Sequence, residues 1–464
     1  MEYFPQCSDH EGFESIGHPD SRGSPHNGRF VAPADRLPEE LLVAIFKVLI
    51  EPSPTLIGPL LLVSRFWHHV AVTTPSMWSR IHSQPHSPDE VRRDTEYVRA
   101  AVKNSCNLPL DVTIDLQSLE YKPPPAKSSS KKLLTPTADE DPENGVTSVI
   151  DGKQENDTEQ LLSELFGALV GEDGENAVRL KSIRLNNVRR GYGLIGSENA
   201  VDRFLKGLEG PTPLLESLSL HLYAIEYHFP RTGGPLQDLD SLKHLTLDAG
   251  GYLEFIKFKP ETIQTLSFRL WGTTRVLSRF TGLRTLSIAN WANRGVSYEA
   301  DPELTFPLLE CLTLRLCHPS GMIRCAGLLP HKVRAPSLTT LRLLDAEAIS
   351  IVGNADAYHH VHTLDLLSSD LQAIRGFMKL HLYKYAALVN LTVFPRHLDF
   401  VKDEIRALKF QGQSPPKLNF LYTVVSDREG VIVDQQGAIV EVPSWRSANE
   451  YIYRQHSLST CIIQ

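Results

Sequence analysis

One short pattern, L-x-x-L-x-L with aliphatic substitutions, recurs nine times from residue 180 onward in this 464-residue chain. The copies are LKSIRL, LESLSL, LKHLTL, IQTLSF, LRTLSI, LECLTL, LTTLRL, VHTLDL and LVNLTV, starting at Leu180, Leu215, Leu242, Ile263, Leu283, Leu309, Leu338, Val361 and Leu388. Their starts lie 35, 27, 21, 20, 26, 29, 23 and 27 residues apart, and LNFLYTV from Leu418 offers a tenth copy. Apolar alternation over so few residues marks a strand. The spacers carry helix-like segments such as NAVDRFLKGL, TTRVLSRF, DLQAIRGFMKL and HLDFVKDEIRAL. One strand with one helix closes no core alone, so neighbouring units must stack in chain order into a parallel-stranded α/β solenoid.

The template and its mostly ~20–29-residue spacing resemble leucine-rich repeats, which implies strands on a concave side. The Asn or Cys of the ninth repeat position occurs once, as Cys317, so an irregular horseshoe is expected. With the leucines turned inward, positions 3, 5 and 7 face the concave surface. Position 5 carries mostly short hydroxyls: Arg184, Ser219, Thr246, Ser267, Ser287, Thr313, Arg342, Asp365 and Thr392. Position 7 runs from polar to apolar, through Asn186, His221, Asp248, Arg269, Ala289, Arg315, Leu344, Leu367 and Phe394. The substrate-binding set expected from this surface is His221, Asp248, Arg269, Arg315, Leu344 and Phe394. A bound segment would cross Arg269 and Arg315, with its apolar part toward Leu344 and Phe394.

A helical module precedes the repeats. In LPEELLVAIFKVLI, Leu41, Leu42, Ile45, Phe46 and Leu49 share one helix face, and Pro38 suits the first helical position. In PLLLVSRFWHHVAV, Val63, Phe66, Trp67 and Val70 repeat at i, i+3, i+4 and i+7, predicting a second helix. Thr74-Pro75 predicts the start of a short third helix, PSMWSRI. The order Leu37-Pro38, Ile45 and Leu49, Val63-Ser64-Arg65-Phe66-Trp67 and Met77-Trp78 closely resembles an F-box, over residues 36–81. The stretch between the first two helices, IEPSPTLIGP, is longer than that family's usual one. The resemblance implies binding of the Skp adaptor of a Skp–cullin–F-box ubiquitin ligase, with Leu37, Pro38, Ile45, Leu49, Val63, Trp67 and Trp78 packing together or meeting the adaptor. It also implies that repeats behind the F-box hold a protein substrate, and that partners rather than this chain supply catalysis. The competing reading is a leucine-rich-repeat binding module that acts outside any ligase.

The full expectation is thus an α/β chain, a three-helix F-box followed by an irregular leucine-rich-repeat solenoid. Residues 1–34 read as a disordered leader, 35–82 as the F-box, and 83–119 as a connecting helix and first strand, the strand being LPLDVTIDL. Residues 120–157, rich in Pro, Ser, Lys and acids, read as a disordered insertion with accessible Ser128–Ser130 and Thr135. The repeats occupy 158–425, beginning with Asp157 capping TEQLLSELFGALV, and 426–464 form a tail.

Composition excludes several other classes. A net charge of −8 with pI near 6.1 lacks the basic excess of a nucleic-acid protein. The longest apolar run is broken by Lys47, and MEYFPQCSDHEGFE is no secretory signal, so the cytoplasm or nucleus is expected. Six scattered cysteines without a CxxC pair suit neither a zinc site nor a disulfide framework, and no cofactor is expected. Gly191-Tyr192-Gly193-Leu194-Ile195-Gly196 matches G-x-G-x-x-G between a strand and a helix. Five residues separate the strand from its first Gly, and the next strand ends at His221-Leu222 without the ribose-binding acid. His359, His360 and His362 have no further ligand at metal-binding spacing and read as strand-edge histidines. The terminal Cys461-Ile462-Ile463-Gln464 fits a farnesylation pattern with Cys461 as the acceptor, which implies weak, reversible membrane association because no second anchoring signal accompanies it.

Overall fold

In a computed structural model the described residues are 37–50, 56–116, 119, 152–171, 174–187, 204–205, 207–208, 211–222, 239–247, 259–270, 274–290, 303–315, 333–346, 348–349, 358–368, 370–410, 420–424, 432–433 and 439–441. The leader, most of the insertion, the G-x-G-x-x-G segment, Asp248 and Cys461 lie outside them.

Three helices open the chain: α1 (Glu39–Ile50), α2 (Ile57–Leu61) and α3 (Arg65–Thr73). Leu41 and Leu42 donate their N–H groups to the Pro38 carbonyl, while Glu39 and Glu40 sit in the first turn, where the helix dipole favours them. The helix expected over PLLLVSRFWHHVAV is split. Ser64 adopts an extended conformation (φ −156°, ψ 166°), and its hydroxyl accepts the N–H of Trp67 at 3.2 Å. A serine that caps the chain in this way starts a new helix after itself, so Val63 falls outside α3. The last carbonyls of α3 have no partner within the helix. Thr73 Oγ1 reaches His69 O at 2.8 Å, Thr74 Oγ1 reaches Val70 O at 2.7 Å, and Trp78 Nε1 donates to Ala71 O at 2.7 Å.

The third predicted helix is reduced to one 3-10 turn, Pro75–Met77, and the chain then enters strand β1 (Arg80–Ser83). Strand β1 runs parallel to β2 (Leu110–Asp115), with Ile81 opposite Val112. Helix α4 (Pro88–Asn104) joins the two strands. It opens on a reciprocal cap: Ser87 Oγ accepts from Glu90 N at 3.3 Å, and the Glu90 carboxylate accepts from His86 N at 2.7 Å. Arg179 closes the other end of α4, donating to Val102 O at 3.2 Å, Leu108 O at 3.2 Å and Ser105 Oγ at 2.6 Å. Helix α5 (Gly152–Val170) begins five residues ahead of Asp157, inside the stretch expected to be disordered.

Each of the nine template copies is a strand: β3 (Leu180–Asn187), β4 (Ser217–Leu222), β5 (His244–Leu247), β6 (Thr265–Leu270), β7 (Thr285–Asn290), β9 (Cys311–Arg315), β11 (Thr340–Leu343), β12 (Thr363–Leu366) and β13 (Asn390–Val393). The tenth copy is β14 (Phe420–Val424), and two short strands, β8 (Leu304–Thr305) and β10 (Val333–Arg334), pair as a separate ribbon. The main sheet has 14 strands in the order β1 to β7, then β9, then β11 to β16. It is parallel up to β14, and β15 (Ile432–Val433) and β16 (Ile439–Glu441) finish it antiparallel, within the segment expected as a tail.

The register follows the template. Position 4 of each copy pairs with position 4 of the next, as in Ile183–Leu218–Leu245–Leu266–Leu286–Leu312–Leu341–Leu364–Leu391. Positions 1, 4 and 6 are buried in all nine copies, in one core that runs from Leu42 to Val401. Burying an aliphatic side chain contributes about 1.5–3 kcal/mol, so three per repeat supply the main driving force for stacking. A turn leads into most copies: Leu215, Leu242, Ile263, Leu309, Leu338, Val361 and Leu388 each donate a backbone N–H to the carbonyl three residues earlier. At Gly282 a Cβ would overlap the carbonyl oxygen of Glu261 in the preceding repeat, so only glycine allows that approach.

The spacers shorten where the repeats crowd together. TTRVLSRF is a 3-10 segment, Thr274–Arg279, because the 20-residue spacing there leaves little room for a helix. The last two spacers are full helices, α6 (Leu371–Leu380) and α7 (Leu398–Phe410). Asp370 caps α6, its carboxylate accepting from Gln372 N at 2.8 Å. Among the described residues no helix is long and apolar enough to cross a membrane.

Candidate functional site: an apolar helix face at the N-terminus

Helix α1 has more apolar residues than one buried stripe can use. Leu42, Phe46 and Ile50 point into the core, whereas Leu41, Ile45, Val48 and Leu49 are exposed. These four stand at i, i+4, i+7 and i+8, a stripe along the outer face. The same module exposes Leu56, Leu62 and Val63, with Leu62 86 % accessible. A run of large exposed aliphatics on one small module marks a binding surface, since isolated exposed leucines are ordinary and clustered ones are not.

The inner stripe is held by aromatic packing. Trp67 lies half-buried against Phe46, with ring centroids 5.0 Å apart and planes at 58°. Its indole nitrogen is buried and has no hydrogen-bond partner among the described residues. Of the seven residues expected at the adaptor, Pro38, Ile45, Leu49 and Val63 lie on the surface, and Leu37 and Trp67 are half-buried against the core. Trp78 is only 3 % exposed, and its N–H is used on the end of α3. It therefore packs the module together and offers no face to a partner. Leu41, Val48 and Leu62 join the exposed surface although the motif did not single them out. Their signal was present in α1 itself, whose only charges are Glu39, Glu40 and Lys47. A helix apolar on nearly every side needs a second cover.

The expected substrate set is dispersed. His221 is buried beside Ser219, with Nε2 and Oγ 3.0 Å apart. Arg315 is half-buried at the end of β9, and Arg269 pairs its backbone with Ala289. Leu344 and Phe394, expected at the surface, are instead buried with Leu367 in a small second core on the sheet face away from the main one. The parallel register explains this: the same position on three neighbouring strands sets the side chains next to one another, and the Arg396 guanidinium lies 5.2 Å over the Phe394 ring. Two residues earlier on these strands, Arg342 Nε meets Asp365 Oδ2 at 3.0 Å, with the Asp365 side chain almost fully buried.

Other chemistry is thin. The rings of His359 and His360 lie 3.9 Å apart, but among the described residues no group of three or more His, Cys, Asp or Glu side chains is placed to hold a metal. Burial pushes the Cys311 thiol above its ordinary range, which disfavours the reactive thiolate.

Residues 34–84 match the family described as F-box-like. No curated protein matches the chain. The match covers the three helices, Trp78 and strand β1, so the exposed stripe of α1 is the open face of an F-box-like domain carried at residues 34–84.

Proposed function

We propose that the chain is the substrate-recognition subunit of a Skp–cullin–F-box ubiquitin ligase. The F-box-like domain docks on the Skp adaptor through the outer face of α1, and the repeats from β3 to β14 act as a leucine-rich-repeat solenoid that holds a substrate protein. Ubiquitin transfer belongs to the partners, and this chain is non-catalytic.

The observation that carries the reading is the exposed stripe Leu41, Ile45, Val48 and Leu49, lying within a domain whose family binds such adaptors. The succession of in-register parallel strands supports the receptor half, because a one-directional stack presents a long continuous face. Co-expression with the Skp adaptor, followed by addition of a cullin, tests it. A single co-eluting ternary species is expected. A chain that elutes alone from an adaptor competent to bind other F-box proteins would overturn the reading.

A further inference from the structure

The far end of the sheet closes on one buried imidazole. His397 lies in the 3-10 turn between β13 and α7, only 4 % exposed, and its backbone N–H donates to Phe394 O at 2.9 Å. Its Nε2 is 3.1 Å from the carbonyl oxygen of Ser368, just past β12, and 3.2 Å from Arg396 Nε. Ser368 is buried too, and its hydroxyl accepts the N–H of Asp370, the residue that caps α6. His397 therefore joins the turns that leave two neighbouring strands.

The two contacts of Nε2 make opposite demands. A carbonyl needs a hydrogen on that nitrogen, whereas the Arg396 N–H needs its lone pair. Neutral imidazole carries its one hydrogen on either nitrogen, so it can accept from Arg396. Imidazolium carries a hydrogen on both, accepts nothing, and sets a second cation against the guanidinium. Among the described residues the charges that bear on the ring are Arg396 and Asp370. The Asp370 carboxylate is already engaged, accepting from Gln372 N at 2.8 Å and Ala373 N at 3.4 Å. Burial and then Arg396 outweigh it, and hold the imidazole below its ordinary value of 6.5.

Arg396 is exposed, so its guanidinium can turn into water. At present that group lies 5.2 Å over the Phe394 ring, which with Leu344 and Leu367 forms the second core. We propose that His397 is an acid-operated latch: its protonation expels the Arg396 guanidinium and uncovers the Leu344–Leu367–Phe394 cluster, an apolar patch that neutral pH keeps closed.

Fluorine NMR of the full chain, with 4-fluorophenylalanine in place of Phe394, tests it. The difference in chemical shift between light and heavy water reports how far that ring meets solvent, and far-UV circular dichroism follows the fold. From pH 7 to pH 5.5 the wild-type difference should rise in one step while the ellipticity stays constant. His397→Gln keeps a hydrogen-bonding amide but gains no charge, and should abolish the step. Arg396→Gln should abolish it too, because no cation is left to expel; burial of His397 alone would leave the step in place there. No step, a step that appears only with loss of ellipticity, or a step that survives in either variant overturns the proposal. Should His397→Gln fail to fold, Arg396→Gln decides the question alone.

Discussion

The indole N–H of Trp78 donates to the carbonyl of Ala71 at 2.7 Å, and both residues are buried. That bond ties the last turn of α3 to the segment that becomes β1, the first strand of the sheet. The helices of the F-box-like domain and the strands of the sheet are therefore consecutive parts of one core. Trp78→Phe keeps most of the packing but leaves the Ala71 carbonyl without its donor, at a cost of about 1–3 kcal/mol. A urea midpoint unchanged from wild type would contradict this role.

Arg179 bridges the end of α4, linking Val102, Ser105 and Leu108 through one planar group. Arg179→Ala should destabilise by about 1–3 kcal/mol. Arg179→Lys should recover little of it, because an ammonium cannot reproduce the fork. Full rescue by lysine in thermal unfolding would show that charge alone matters there.

The Arg342–Asp365 pair predicts a non-additive result. Arg342→Leu strips a buried carboxylate of its cation and should cost about 3–5 kcal/mol, while Arg342→Leu/Asp365→Leu should regain most of the loss. Additive losses in a double-mutant cycle would show that the two residues act separately.

Acid should weaken the fold through His381 and His397. Burial first, then the charges of Lys384 and Arg396 respectively, lowers both imidazoles below the ordinary value of 6.5. The unfolded chain then binds more protons than the folded one as pH falls below 6.5, so stability is present above that pH and is lost on acidification. His397→Asn should flatten the decline between pH 7 and pH 5.5. An unchanged slope, measured by denaturant titration, would remove His397 from the account.

Much of this architecture was legible because the repeat template is a physical requirement. Positions 1, 4 and 6 are leucine or its equivalents since those side chains fill the core, and each copy became a strand in register. Strand β1 was hidden: RIHS carries no local strand signal, and its partner β2 lies beyond the whole of α4. The split at Ser64 was masked by a helical spacing that ran straight through a capping residue. Periodicity also could not divide α1 into an inner and an outer stripe, because both are apolar. Leu344 and Phe394 were misplaced for a related reason, since facing away from the main core does not mean facing solvent.

The stripe on α1 allows the proposed binding to be tested apart from folding. Phe46→Ala should lower stability by about 3–5 kcal/mol, as for other buried aromatics. Ile45→Ala/Leu49→Ala removes exposed side chains and should leave the unfolding midpoint nearly unchanged.

The decisive measurement is calorimetric titration of the Skp adaptor into the full chain and into folded Ile45→Ala/Leu49→Ala. The account predicts one-to-one binding by wild type, weakened about 30-fold or more in the variant, equivalent to ~2 kcal/mol at an interface anchor. Equal affinity for the two proteins would contradict it.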